Sequence, residues 1–129
     1  MYGATAASQY LGIQVESSTP LERVVLLYDA AVRWVGTARD AMDRKDIPTR
    51  REAVSRAMAI VGELQQSLDM DRGGATAAEL DRLYTWMTEQ LTDAVIRQDA
   101  RPLADVERHL VTLGDAWRTI ASQPAEAVR

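Results

Sequence analysis

From Thr19 onward apolar residues recur every three or four positions, and no stretch alternates apolar with polar. Leu21, Val24, Val25, Tyr28, Ala31, Val32, Val35, Ala38 and Met42 keep a 3.6-residue period, which predicts a helix over about 20–45. Its start is Thr19-Pro20-Leu21-Glu22, a capping box with proline in the first turn, where its missing N–H costs nothing. Arg44 and Lys45 suit its C-terminus. Asp46-Ile47-Pro48-Thr49 breaks the period, and Thr49 with Glu52 offers a second box. That opens a helix over about 49–70 carrying Val54, Ala57, Met58, Val61, Leu64 and Leu68, stopped by Gly73-Gly74. A third box, Thr76 to Glu79, begins a helix over about 76–98 with Leu80, Leu83, Tyr84, Met87, Leu91, Ala94 and Val95 on one face. Asp99 or Ala100 caps the last helix, about 101–122, whose stripe is Leu103, Val106, Leu110, Leu113, Trp117 and Ile120.

Four amphipathic helices joined by short turns pack most simply as an antiparallel up-down bundle, so the expected class is all-α. Residues 19–123 form this bundle and 124–129 a short tail. Residues 1–18 stand apart as an arm able to carry one short helical turn. They hold no Lys or Arg, yet too many apolar side chains for a freely solvated tail.

Composition narrows the functions available. A chain of 129 residues is one domain by ordinary length, large enough to bury a core without disulfides or metal. The net charge of −4 argues against nucleic-acid binding, which leaves a basic footprint. With no cysteine, thiol chemistry and cysteine-based zinc sites are excluded. One histidine, His109, cannot supply the two Glu-x-x-His ligand sets of a di-iron bundle. Gly73-Gly74 has no Lys-Ser/Thr behind it to make a phosphate loop. No catalytic residue and no cofactor or metal is implied, and a non-enzyme is expected. The longest apolar run, Val24 to Tyr28, falls far short of a membrane span of about 20 residues. No charged and apolar leader precedes Arg23, so the cytoplasm is the expected location.

What the pattern leaves over is apolar surface. A bundle helix needs about three core positions in seven, and helix one exceeds this. Leu26, Ala30 and Trp34 form a second stripe beside its core face, and Trp86 lies off the line of helix three. The surplus fits packing against the arm or a bundle edge equally with a groove for an amphipathic partner helix. Gly36, Gly62 and Gly114 sit mid-helix, where glycine costs about 1 kcal/mol against alanine and close backbone approach is the usual compensation.

In order along the chain, Tyr10, Val15, Ser18-Thr19-Pro20 and Leu26-Leu27-Tyr28-Asp29-Ala30-Ala31 are followed by Ala57, Ile60-Val61, Glu63-Leu64 and Ser67-Leu68-Asp69. Gly73-Gly74, Leu80, Leu83-Tyr84, Leu91, Ala94, Asp99, Leu113 and Ala116-Trp117 complete the series. Over about residues 10–118 this resembles the FliS family of flagellin export chaperones. The resemblance implies a small cytoplasmic bundle that binds the disordered C-terminal segment of new flagellin. Such binding prevents premature polymerisation and keeps the subunit competent for flagellar type III export. It also implies that an N-terminal segment, including the tyrosine matching Tyr10, lies over part of the binding surface. The flagellar export apparatus is a further candidate partner. Where the family usually has Ala-Asn late in helix three, this chain has Ala94-Val95, and valine cannot make an asparagine's polar contact.

The candidate partner-binding residues are Tyr10, Ile13 and Val15 on the arm, Leu27, Tyr28 and Ala31 on helix one, and Leu83, Tyr84 and Met87 on helix three. Core packing explains the body residues equally well. Tyr28 and Tyr84 stand out because a buried phenol needs a partner for its hydroxyl. The expected state is a monomer or weak homodimer, with a self-associating structural or regulatory bundle as the alternative.

Overall fold

The computed structural model describes residues 19–123. Among them are four helices and no strand: α1 Pro20–Asp43, α2 Ile47–Gln66, α3 Met70–Arg97 and α4 Arg101–Ala121. The Thr19 box forms as the sequence requires, with Glu22 N–H donating to the Thr19 hydroxyl at 3.1 Å and Thr19 N–H donating to Glu22 at 3.0 Å. Interhelical contacts run from the start of one helix to the end of the next. Arg23 of α1 pairs with Glu63 of α2, Asp29 of α1 with Arg118 of α4 at 2.5 Å, and Gln65 of α2 with Asp81 of α3 at 2.9 Å. Neighbours are therefore antiparallel, giving the up-down bundle. α1 makes the two broadest seams, with α2 and α4, and the α3–α4 seam is the thinnest.

Three helix limits differ from the expected ones. α2 is capped by Asp46, not Thr49; the Asp46 carboxylate accepts from Thr49 N–H at 3.2 Å and from its hydroxyl at 2.7 Å. Asp46 can reach both donors, and Pro48 fits the first turn. α2 also ends four residues early, at Gln66, so Leu68 lies in the connection and is partly buried against the core. α3 begins at Met70, before the glycines, because Asp69 caps it by accepting from Arg72 N–H at 3.0 Å. The glycine pair acts as a kink: Gly74 sits at φ 54°, ψ −133°, a conformation for which a β-carbon is strained.

The core explains the surplus on α1. Leu27, Tyr28, Ala30, Ala31, Val35, Ala38 and Ala41 are all buried because this helix has neighbours on two sides. Ala30 is thus a core residue, not an outer one, while Leu26 and Trp34 pack partly buried against the core. Arg56 of α2 covers the Trp34 ring at 5.9 Å from its centroid. Of the three mid-helix glycines, Gly114 sits at a close approach: a β-carbon there would meet Tyr28 Cβ at 3.5 Å. Gly62 faces open space and a β-carbon on Gly36 would lie 3.8 Å from a Glu107 oxygen, an ordinary contact, so neither marks a tight crossing.

Candidate client cleft at the open end of the bundle

At the end where α1 begins and α4 finishes, the four helices fail to close. α2 stops early and α3 is kinked at Gly74, leaving a cleft of about 370 Å³. Its apolar wall is Val24 of α1, Leu64 of α2, Leu68 of the connection, Leu80 and Tyr84 of α3, and Trp117 of α4. Asp69, Arg72 and Thr76 stand at its mouth. Two smaller grooves flank α4. One of about 290 Å³ against α1 includes Tyr28, Val32 and Val111 under the Asp29–Arg118 pair. The other, of about 280 Å³ against α3, includes Leu83, His109 and Leu113.

The six body residues singled out from the sequence divide by depth. Leu27, Tyr28, Ala31, Tyr84 and Met87 are buried, and Leu83 is partly exposed in the α3–α4 groove. The structure brings Tyr28 and Tyr84 together: their hydroxyls are 2.6 Å apart across the bundle, with ring centroids at 6.5 Å. Tyr84 also forms part of the cleft wall, while Tyr28 lines the α1–α4 groove. Burial pushes the Tyr28 phenol above its usual range, against hydrogen bonds from Tyr84 and Trp117 that pull it down. Burial, then the nearby Tyr28, pushes the Tyr84 phenol higher still. Both are neutral O–H groups at any physiological pH. Tyr10, Ile13 and Val15 lie outside the described residues.

Sequence reasoning did not single out Val24, Leu64, Leu68, Leu80 and Trp117 as site residues, although each lay on a stripe it identified. Periodicity reports which side chains face inward, and it carries no information on where the helices stop short of covering them. Trp86, expected off the core line, packs edge-on against His109 with centroids 4.9 Å apart. Val95, at the family's asparagine position, packs partly buried against the core as an apolar side chain does. Among the described residues no three His, Asp or Glu side chains gather as a metal site, and no helix is long and apolar enough to cross a membrane.

The fold and cleft define a class of small helical-bundle proteins that present an apolar recess at one end. Residues 3–124 match the family model for the flagellar protein FliS. The chain is 32% identical over 125 residues to the flagellar secretion chaperone FliSB of Pseudomonas aeruginosa, covering 94% of this chain and 99% of that one. It is 32% identical to the flagellar secretion chaperone FliS of Salmonella typhimurium, covering 94% and 93% of the two chains. To the chaperone of the same name from Bacillus subtilis it is 29% identical over 104 residues, or 81% and 77%. The chain belongs to the FliS family of flagellar secretion chaperones.

Proposed function

We propose that this protein binds the C-terminal segment of newly made flagellin in the cytoplasm, blocks its premature polymerisation, and holds it ready for flagellar export. The observation that carries this reading is the cleft between Val24, Leu68, Leu80 and Trp117, an apolar recess at the end of the bundle. A flagellin segment that is disordered until assembly folds on an apolar template by burying one face of an amphipathic helix. The arm enters α1 at Thr19, the same end as the cleft, so Tyr10, Ile13 and Val15 are the proposed cover for it. Leu83 offers a second contact along α3, with Leu27, Ala31 and Met87 supporting the cleft from within.

Titration calorimetry with a peptide of the same organism's flagellin C-terminus tests this. Saturable one-to-one binding with a negative heat-capacity change is expected. Tyr10→Ala and deletion of residues 1–17 should change the affinity if the arm shares the site. A folded monomer that does not bind would overturn the reading, and a tight oligomer by sedimentation would favour self-association instead.

A further inference from the structure

The end of the bundle opposite the cleft carries the reverse of the chain's overall charge. Residues 43–51, around the α1–α2 turn, and 96–101, around the α3–α4 turn, hold six cations against three acids, while the rest of the chain holds nine against sixteen. Among the described residues Arg44, Lys45, Arg50 and Arg51 make no ion pair. Of the three acids, Asp46 is committed to capping α2 and Asp99 to Arg101, which leaves Asp43. Arg50 is 8% exposed and its Nε has no hydrogen-bond partner, so a positive charge sits inside this end without a paired carboxylate.

Two of the four exposed large apolar side chains among the described residues stand at the same end, Ile96 at 73% and Ile47 at 48%. Register brings them level. Ile47 lies eighteen residues before Gln65, about five helical turns, and so shares the face of α2 that bonds Asp81 and Thr85 of α3. The same eighteen residues along the antiparallel α3 lead from Asp81 to Asp99, within one turn of Ile96. Arg51, one turn on from Ile47, extends that face.

We infer that this end is a second docking surface, for an acidic protein segment that carries an apolar side chain. Its carboxylates meet Lys45, Arg51 and the field of Arg50, while its apolar group covers Ile96 and Ile47. The chain's own ends do not supply such a segment. The arm joins α1 and the tail leaves α4 at the cleft end, and their acids, Glu16 and Glu126, lie three residues from Thr19 and Gln123. Three residues span about 10 Å, against at least about 30 Å for the length of either helix. A second copy does not close a pair here, because the same patch on both sets cations against cations. A lipid surface fits poorly, since polybasic anchors cluster about four to eight exposed cations and this chain is at −4 overall. The surface stands apart from the cleft, so an acidic partner and a client can be held together.

NMR titration of the isotope-labelled full chain tests this with a short synthetic peptide of Glu and Ser around a Leu pair. The comparisons are the same peptide with its Leu pair changed to Ser or its Glu changed to Gln, phosphatidylserine vesicles, and a single-stranded oligonucleotide. The first peptide should shift the amides of Lys45, Ile47, Arg51 and Ile96 and leave the Trp117 indole unmoved. Both altered peptides should bind more weakly. Arg51→Glu and Ile96→Ser should each weaken binding about five-fold. Lys45→Gly should weaken it about two-fold. Lys45 sits at φ 59°, where glycine is at ease, so that variant removes a charge without unfolding the chain. The peptide lacking its Leu pair should bind Ile96→Ser and the unaltered protein alike, a coupling that a general loss of structure would not give. Shifts scattered over other cations, equal binding of the peptide without Leu, or tighter binding of the vesicles or the oligonucleotide would overturn the surface.

Discussion

The seam between α1 and α2 and the seam between α3 and α4 are made of different materials. On α1 the face toward α2 carries Arg23, Ala30 and Trp34; Arg23 pairs with a largely buried Glu63, Ala30 is fully buried, and Trp34 lies under Arg56. Small residues let two backbones approach, and the charged ends fix the register. The α3–α4 seam instead holds Leu83, Trp86, His109 and Leu113, bulky groups that keep the axes apart and leave a groove. Among the described residues no ion pair joins α3 to another helix; its polar ties are Gln65 to Asp81 and Thr85, and Tyr84 to Tyr28. One half of the bundle is a scaffold, and the other is a set of side chains held open around a recess.

This contrast breaks most sharply at Ala30. A leucine there adds three carbons where α2 leaves no room, so Ala30→Leu should cost about 3 kcal/mol of stability, read as a lower urea midpoint. Its client affinity, corrected for the folded fraction, should not change. Trp117→Ala is the converse experiment. The indole is partly exposed at the cleft wall, so its loss costs less stability than a core tryptophan's. As an aromatic of the proposed binding surface it should cost about 2 kcal/mol of client affinity, roughly thirty-fold. If both variants lose stability and affinity in the same proportion, the division into scaffold and recess is wrong.

Which half was legible in the sequence follows from the same contrast. The all-α class and most of the core could be read from 3.6-residue stripes, since periodicity records burial directly, and the antiparallel order from the short turns between them. Helix ends were less legible where two caps competed, as at Asp46 against Thr49 and Asp69 against Thr76. Tyr28 and Tyr84 were identifiable by their need for a hydroxyl partner, but that each is the other's partner required the bundle, because 56 residues separate them. The cleft itself was not legible. It is a place where α2 ends early and Leu68 leaves the helix, an outcome of end-capping that no apolar stripe encodes. The apparent surplus on α1 misled in the opposite direction, since Ala30 is buried by a second neighbour.

A smaller effect sharpens the account of the scaffold. Gly62 lies mid-way along α2 with nothing within 4 Å of where its β-carbon would stand. Gly62→Ala should therefore raise stability by up to about 1 kcal/mol through helix propensity alone, with client affinity unchanged. A loss of affinity would mean that the outer face of α2 also meets the client, beyond the recess and the α3–α4 groove proposed for it.

The smallest expected effect concerns how the loosely seamed pair is fastened. Asp99, in the α3–α4 turn, accepts from the Arg101 guanidinium at 2.7 Å and from its N–H at 2.9 Å. These bonds hold its carboxyl down at about 2. Because the folded value is depressed, the stabilisation is fully present above the ordinary aspartate range and is lost as pH falls through about 2. A carboxyl-carbon NMR titration should place the Asp99 midpoint near that value, and Arg101→Ala should move it back toward an ordinary aspartate. Client affinity should be unaffected by the change, because the turn lies at the far end of α3 and α4 from the cleft. A midpoint unmoved by Arg101→Ala would show that the turn is not closed by this pair. The α3–α4 hairpin would then depend on Trp86, His109 and their neighbours, and the recess could not be widened without loosening the turn as well.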